Sequence, residues 1–171
     1  MNWDTYFHSI CQTVSSKSPC LSRKIGAILV RDHSIISTGY NGPPRGIPHC
    51  GKARILSDKA LAEKLGSLNI SIELINSKCP RRLLGYESGT GMQWCTSQHA
   101  EENAVSNAAR LGVSVLNSTL YMNSVIPCQK CYGTLINAGI IEIVIENVKA
   151  YDQWTKLLID YSNIVIREFN L

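Results

Sequence analysis

A chain of 171 residues, 44% hydrophobic and 18% charged, has the composition of a globular protein and the length to bury its own core as one domain. Its net charge of +4 suits a phosphate-bearing ligand but is too small and too scattered to demand a nucleic-acid polymer. No apolar run reaches the ~20 residues of a membrane span, and "MNWDTYFHSI" lacks the basic start and apolar block of an export signal, so a cytoplasmic setting is expected.

Taken in chain order, Trp3, Tyr6, Phe7, Ile10 and Val14 recur at helical spacing behind a capping Asn2, and "SSKSP" breaks the pattern. "KIGAILV" and "RDHSIISTGY" read as two strands of an antiparallel hairpin around Asp32 and His33, with His33 a solvated turn residue. The pattern is poorer from Pro43 to Gln98, an insertion-like stretch. It offers a short helix at "SDKALAEKL", capped by Ser57 and stopped by Gly66, and a loop at "ESGTG". Regularity then returns. A helix runs from about His99 to Leu111 before Gly112, followed by a strand "STLYMN", a helix from near Cys128 to Gly139, a strand "IIEIVIE", a helix "YDQWTKLLIDY" and a strand "NIVIRE". This alternation predicts a layered α/β fold with central strands buried on both faces.

Seven cysteines, at 11, 20, 50, 79, 95, 128 and 131, cannot all pair within the chain, and with no export signal metal ligation is the expected use of at least two. Cys11, on the apolar stripe of the first helix, is assigned to the core. In "PCQKC", Pro127 to Cys131, two cysteines three apart on the first turn of a helix project to one side, and the helix N-terminus favours their thiolates. Alone the pair is equally a redox dithiol or one knuckle of a structural zinc site. "HAE", His99 to Glu101, opens the preceding helix. There the two side chains could serve one pocket because they splay around the first turn; by themselves a core histidine and a dipole-stabilising carboxylate explain them as well.

Taken together, the two halves match the signature of zinc nucleoside deaminases, His-x-Glu on one helix and Pro-Cys-x-x-Cys on the next. Through "KIGAILV", "IISTGYNGPPRG", "HAEENA" and "PCQKC" the chain resembles the deoxycytidylate deaminase branch of the cytidine/deoxycytidylate deaminase family in its phage form, over most of its length. The resemblance implies a three-layer α/β fold, a central five-stranded mixed sheet flanked by helices. It implies one domain over 1–171, with 51–98 inserted between the second strand and the catalytic helix. A phage-encoded member would work in the host cytoplasm.

The resemblance further implies a catalytic zinc held by His99, Cys128 and Cys131, with a fourth position for water. Glu101 would carry a proton from that water to the ring nitrogen N3 and later to the departing amine. Glu102 is read as a solvated helix residue. The net reaction would be hydrolytic deamination of dCMP to dUMP and ammonia, supplying dUMP for thymidylate synthesis. Asn41, on the "GYNG" turn, would hydrogen-bond the deoxyribose 3'-hydroxyl, although Asn41-Gly42 is also simply a good turn former. Ala100 and Ser124 would meet the base. Where the family usually shows threonine four residues before the first cysteine this chain keeps a hydroxyl in Ser124, and two before it has Ile126, which offers only backbone or apolar contact.

Ser22, Arg23 and Lys24, with Arg45, are the candidates for phosphate. By resemblance Arg45 could instead serve an allosteric site, activated by dCTP and inhibited by dTTP, in a homohexamer; a triphosphate effector would bring Mg²⁺ with it. Arg110 corresponds to a subunit-interface position in the family and is otherwise a plain solvated arginine. Phage members can carry a second, structural zinc, to which Cys20, Cys50, Cys79 and Cys95 are assigned, with His49 as an alternative ligand; four such ligands would close a tetrahedral site. Two further readings stand beside dCMP deamination: a bifunctional enzyme also acting on dCTP, and an inactive zinc-stabilised nucleotide-binding protein, against which the retained Glu101 speaks. Polynucleotide deamination is disfavoured, because 57 residues separate Asn41 from His99 where transfer-RNA enzymes have a short link, and no aromatic-basic channel is evident.

Overall fold

The structure, a computed structural model, describes residues 1–171. In chain order its elements are α1 (Trp3–Ser15), β1 (Gly26–Arg31), β2 (Ser34–Tyr40), α2 (Lys52–Ser57), α3 (Lys59–Gly66), α4 (Ile72–Ser77) and α5 (Pro80–Leu83). After a short 3-10 turn at Met92–Trp94 come α6 (Ala100–Arg110), β3 (Thr119–Ile126), α7 (Gln129–Asn137), β4 (Glu142–Ala150), α8 (Thr155–Tyr161) and β5 (Val165–Glu168). They fall into two compact units, one formed by Met1–Ser18, Ile25–Asn41 and His99–Leu171, the other by Pro19–Lys24 and Gly42–Gln98.

The first unit is the expected three-layer arrangement, built on a five-stranded sheet in the order β2-β1-β3-β4-β5. β1 pairs antiparallel with β2 and β3, while β3, β4 and β5 run parallel, so the sheet is mixed. Side chains alternate between its faces, as the two-residue period of a strand requires. Ile28, Val30, Tyr121 and Val144 meet Phe7 and Cys11 of α1 on one face. Ala27, Leu29, Leu120, Met122, Ile143 and Ile145 meet Ala100 and Ala104 of α6 and Tyr132 and Leu135 of α7 on the other, with Leu158 and Ile159 of α8 packed alongside. Cys11 is fully buried, as expected of a core thiol. α1 starts where predicted, with Asn2 Oδ1 accepting the Thr5 amide at 2.8 Å. Gly112 and Gly139, at φ +69° and +76°, follow α6 and α7 in the left-handed conformation that stops a helix.

Several boundaries differ from the sequence reading. β3 continues past Asn123 to Ile126, and β4 past Glu146 to Ala150. The β1–β2 turn has Asp32 and His33 both at positive φ, and the His33 ring stacks on Trp3 with centroids 4.3 Å apart, so it is not simply solvated.

The second unit buries Leu61, Leu65 and Cys79 and is tied by caps and polar contacts. Ser57 ends α2, and it is Asp58 that caps α3, accepting the Leu61 amide through Oδ1 at 3.0 Å; two successive cap-forming residues left the sequence ambiguous by one position. The same carboxylate accepts the buried Arg54 guanidinium at 2.6 and 2.9 Å, and Arg54 reaches Thr96 Oγ1 at 2.9 Å. Asn76 Oδ1 accepts the Lys52 amide at 2.8 Å, joining α4 to α2. The ends of the insertion are tied by a two-bond antiparallel bridge between Gly42 and Gln98, at 3.1 and 2.8 Å.

Candidate active site at two helix N-termini

The same sheet face carries the N-termini of α6 and α7, and the chain places a potential ligand at each: His99 is the N-cap of α6 and Cys128 the N-cap of α7. Both have extended backbone conformation, so their side chains leave the helix axis. Cys131 lies in the first turn of α7, facing back over that end. The result is a tight triangle: Cys128 Sγ to Cys131 Sγ 3.5 Å, His99 Nδ1 to Cys128 Sγ 3.6 Å and to Cys131 Sγ 3.3 Å. A tetrahedral zinc with bonds of about 2.3 Å to sulfur and about 2.0 Å to nitrogen has edges of about 3.8 Å between sulfurs and about 3.5 Å between sulfur and nitrogen. The three atoms therefore match three corners of such a site, and they are borderline-soft donors that zinc favours.

The electrostatics agree with a cation site. Without a metal the three groups share protons: His99 is held up at about 9, chiefly by its bond to Cys128, and Cys128 is pulled down to about 4 by its bonds to Cys131 and His99. Cys131 is pushed far up, first by donating to the Cys128 thiolate and then by burial. One thiolate, one thiol and one imidazolium thus stand where a divalent ion would replace two protons.

Glu101 is buried at 4% exposure, with Oε1 3.8 Å from His99 Nδ1. Burial raises its carboxyl above the ordinary value, against the lowering influence of His99. A carboxyl raised toward neutrality can both take and give a proton there. Glu102, by contrast, is not a solvated residue: its Oε2 accepts the His99 amide at 3.3 Å and so fixes the N-cap from behind.

Asn41 follows β2 and is almost fully buried. Its Oδ1 accepts the Ser18 hydroxyl and the Ile25 amide, each at 2.8 Å, while its backbone amide donates to Ile25 O at 3.1 Å. Its neighbour Tyr40 offers its carbonyl to Asn103 Nδ2 at 2.8 Å, which sets the turn beside the first turns of α6. Ala100 is the first residue of α6, fully buried, and Ser124 is half-buried where the β3–β4 register shifts. Arg110 is exposed at the far end of α6 from His99.

The remaining candidates belong to the second unit. Ser22, Arg23, Lys24, Arg45 and His49 are exposed there. Cys20, Cys50, Cys79 and Cys95 are all in this unit and none is in a disulfide. Burial pushes the Cys50 thiol up to about 11, reinforced by the sulfurs of Cys79, Cys95 and Cys20. Sequence reasoning missed Ser18 and Asn103, which orient the Asn41 turn, and Tyr151, whose ring meets His99 edge-on at 6.4 Å. These are tertiary contacts that no local spacing announces.

A family model described as the cytidine and deoxycytidylate deaminase zinc-binding region matches residues 1–147. The chain is 30% identical to a deoxycytidylate deaminase of Saccharomyces cerevisiae over 169 residues, 99% of this chain and 45% of that protein. It is 30% identical to one from Mycobacterium phage D29 over 148 residues, 84% of this chain and 93% of that protein. It spans less than half the length of the two yeast relatives it matches. In fold it resembles a dCMP deaminase of the cyanophage S-TIM5, solved with dCMP and dUMP, with a TM-score of 0.63 at 20% identity, covering 96% of this chain and 94% of that one.

Proposed function

The chain belongs to the cytidine and deoxycytidylate deaminase family, and from that premise we propose that it hydrolytically deaminates dCMP to dUMP with release of ammonia. One observation carries the reading: His99, Cys128 and Cys131 converge within ligand distance of one another beside the buried Glu101. A purely structural zinc site has no use for an uncoordinated buried carboxyl, whereas a deaminase requires one.

Zinc is the metal this donor set suits, and when bound it supplies a water acidic enough to react as hydroxide near neutral pH. Glu101 would receive one proton of that water and place it on ring nitrogen N3, and would then carry the water's second proton, from the oxygen left on C4, to the leaving amine, so that ammonia departs as the carbonyl forms. Burial serves both transfers, because it holds the carboxyl within reach of either state. Asn41, held in place by the bonds its Oδ1 accepts from Ser18 and Ile25, is assigned the contact to the deoxyribose 3'-hydroxyl. Ala100 and Ser124 meet the base, and Ser22, Arg23, Lys24 and Arg45 are the phosphate-binding candidates. By family likeness dCTP activates and dTTP inhibits a hexamer, with Arg45 and Arg110 the residues assigned to regulation and assembly, and dUMP feeds dTTP synthesis.

The reading extends to a second, structural zinc on Cys20, Cys50, Cys79 and Cys95. It rests on the family likeness: Cys20, Cys50, Cys79 and Cys95 share the second unit as free thiols, whereas the donors that converge within ligand distance are His99, Cys128 and Cys131. Such a site would brace a unit whose helices are only four to eight residues long.

The test is a panel on the purified, metal-analysed protein: ammonia released from deoxycytidine, dCMP and dCTP, with and without dTTP. Turnover strongest on dCMP and a metal content near two per chain are expected. No ammonia from any cytosine nucleotide by zinc-loaded protein would sink the activity, and one zinc per chain would remove the second site.

A further inference from the structure

Cys128 occupies the N-cap position of α7, yet its side chain makes no cap bond. An N-cap residue ordinarily turns its side chain onto the first unbonded amides of its helix. Here the sulfur faces His99 and Cys131 instead, and the capping is supplied from a different part of the chain. Asp152, on the turn between β4 and α8, accepts the Gln129 amide through Oδ2 at 3.0 Å. Its other oxygen, Oδ1, accepts the amides of Trp154 and Thr155 at 2.9 Å each. The hydroxyl of Thr155, fully buried, shares its single proton between Asp152 Oδ1 at 3.0 Å and the Pro127 carbonyl at 3.3 Å. Two neighbouring side chains thus grip the residues immediately before and after Cys128.

We propose that Asp152, with Thr155, is a positioning residue for Cys128, fixing the Pro127–Gln129 backbone so that the sulfur is already aimed when metal arrives. The inference rests on the reading of Cys128 as a zinc ligand. The Cys128 sulfur is turned toward His99 and Cys131, and the first amide of α7, that of Gln129, takes its acceptor from Asp152. Asp152 and Thr155 thereby also link the metal turn to the α8 packing layer. Outer partners that orient metal ligands typically cost about 10- to 100-fold in metal affinity when lost.

The two oxygens of Asp152 have separable jobs, which makes the test sharp. In Asp152→Asn, three donors converge on Oδ1 and hold the amide oxygen there, so the loop turn survives. The amide nitrogen then faces the Gln129 N–H, and only the bond to α7 is lost. Cobalt(II) binding to the metal-free full chain, followed through its thiolate-to-metal charge-transfer band, reads the site without any turnover. About 10-fold weaker cobalt binding by Asp152→Asn, with circular dichroism unchanged, is expected; cobalt affinity equal to wild type would overturn the proposal. If Asp152→Asn does not fold, the same titration on Thr155→Val and Thr155→Ser decides: a loss in the valine variant that serine restores supports it, and two equal affinities overturn it. Wild-type protein that shows no thiolate–cobalt band at all would refute instead the reading of Cys128 as a ligand.

Discussion

Glu101 and Glu102 differ by one position in sequence and by most of their physical surroundings. At the second position of α6 the side chain points into the space beside His99 and is buried; at the third it folds back onto the His99 amide. The two carboxylates therefore lose different things when neutralised. Glu101→Gln keeps shape and burial but cannot cycle a proton, and a positioned general acid–base contributes about 10²- to 10⁴-fold. Ammonia release is expected to fall at least that far while zinc content stays at the wild-type level. Glu102→Gln keeps an acceptor for the His99 amide, so it should retain most activity and shift stability by less than about 1 kcal/mol. Equal losses in the two variants would place the proton shuttle elsewhere.

α6 can present His99 and Glu101 only because it lies close against β2, and the contact is specific to a few side chains. A Cβ on Gly39 would collide with the Ala100 carbonyl and the Ala104 amide, so glycine is what allows the helix backbone to approach the strand. Ser37 donates to Ala104 O at 2.7 Å, and Asn103 and Asn107, one turn apart, donate to the Tyr40 and Thr38 carbonyls of this edge strand. Gly39→Ala should push the helix outward at a cost of about 1–3 kcal/mol, lowering the melting temperature by about 3–10 °C. A melting temperature unchanged from wild type would show that the approach is not tight. At this scale the sequence was legible where periodicity or a stop residue spoke: the five strands, α1, and the starts and glycine stops of α6 and α7. The triangle of His99, Cys128 and Cys131 was legible for the same reason, since its members stand at predicted helix starts. What stayed hidden was set by partners far along the chain. α2, α4 and α5 are too short to show a period, the last residues of β3 and β4 lack alternation, and the Glu102, Ser18 and Asp152 contacts depend on which amide the fold brings near.

Over the whole first unit, the two ends of the chain are joined by charge as much as by packing. Asp4 at the start of α1 accepts Arg167 of β5 at 2.6 and 3.1 Å and the Asn170 amide at 2.8 Å, and Asn2 Nδ2 donates to the Asn170 carbonyl at 3.0 Å. Arg167 also donates to Glu142 of β4 at 2.8 Å, whose other oxygen accepts Thr119 Oγ1 of β3 at 3.1 Å. β5 itself has no fully buried side chain, so this network adds to its ladder with β4 and to the packing of Ile166 in holding it as the last strand. Burial alone would raise Asp4, but the hydrogen bonds from Arg167 and Asn170 outweigh it and hold the carboxyl below its ordinary value of 3.8. A carboxyl depressed in the folded state binds fewer protons there than in the unfolded chain, so it stabilises the fold above pH 3.8 and loses that contribution as pH falls through its lower folded value. Asp4→Asn keeps the shape, lacks the charge, and should cost about 2 kcal/mol at pH 7, less than a fully buried pair because Arg167 is partly exposed and retains Glu142. Urea midpoints of the two proteins, both in chelator so that acid release of metal does not enter, should therefore differ by the same margin at pH 7 and pH 5 and converge below pH 3.8. A gap that persists undiminished at pH 3 would mean that Asp4 acts through shape and hydrogen bonding alone, and that charge does not hold β5 to α1.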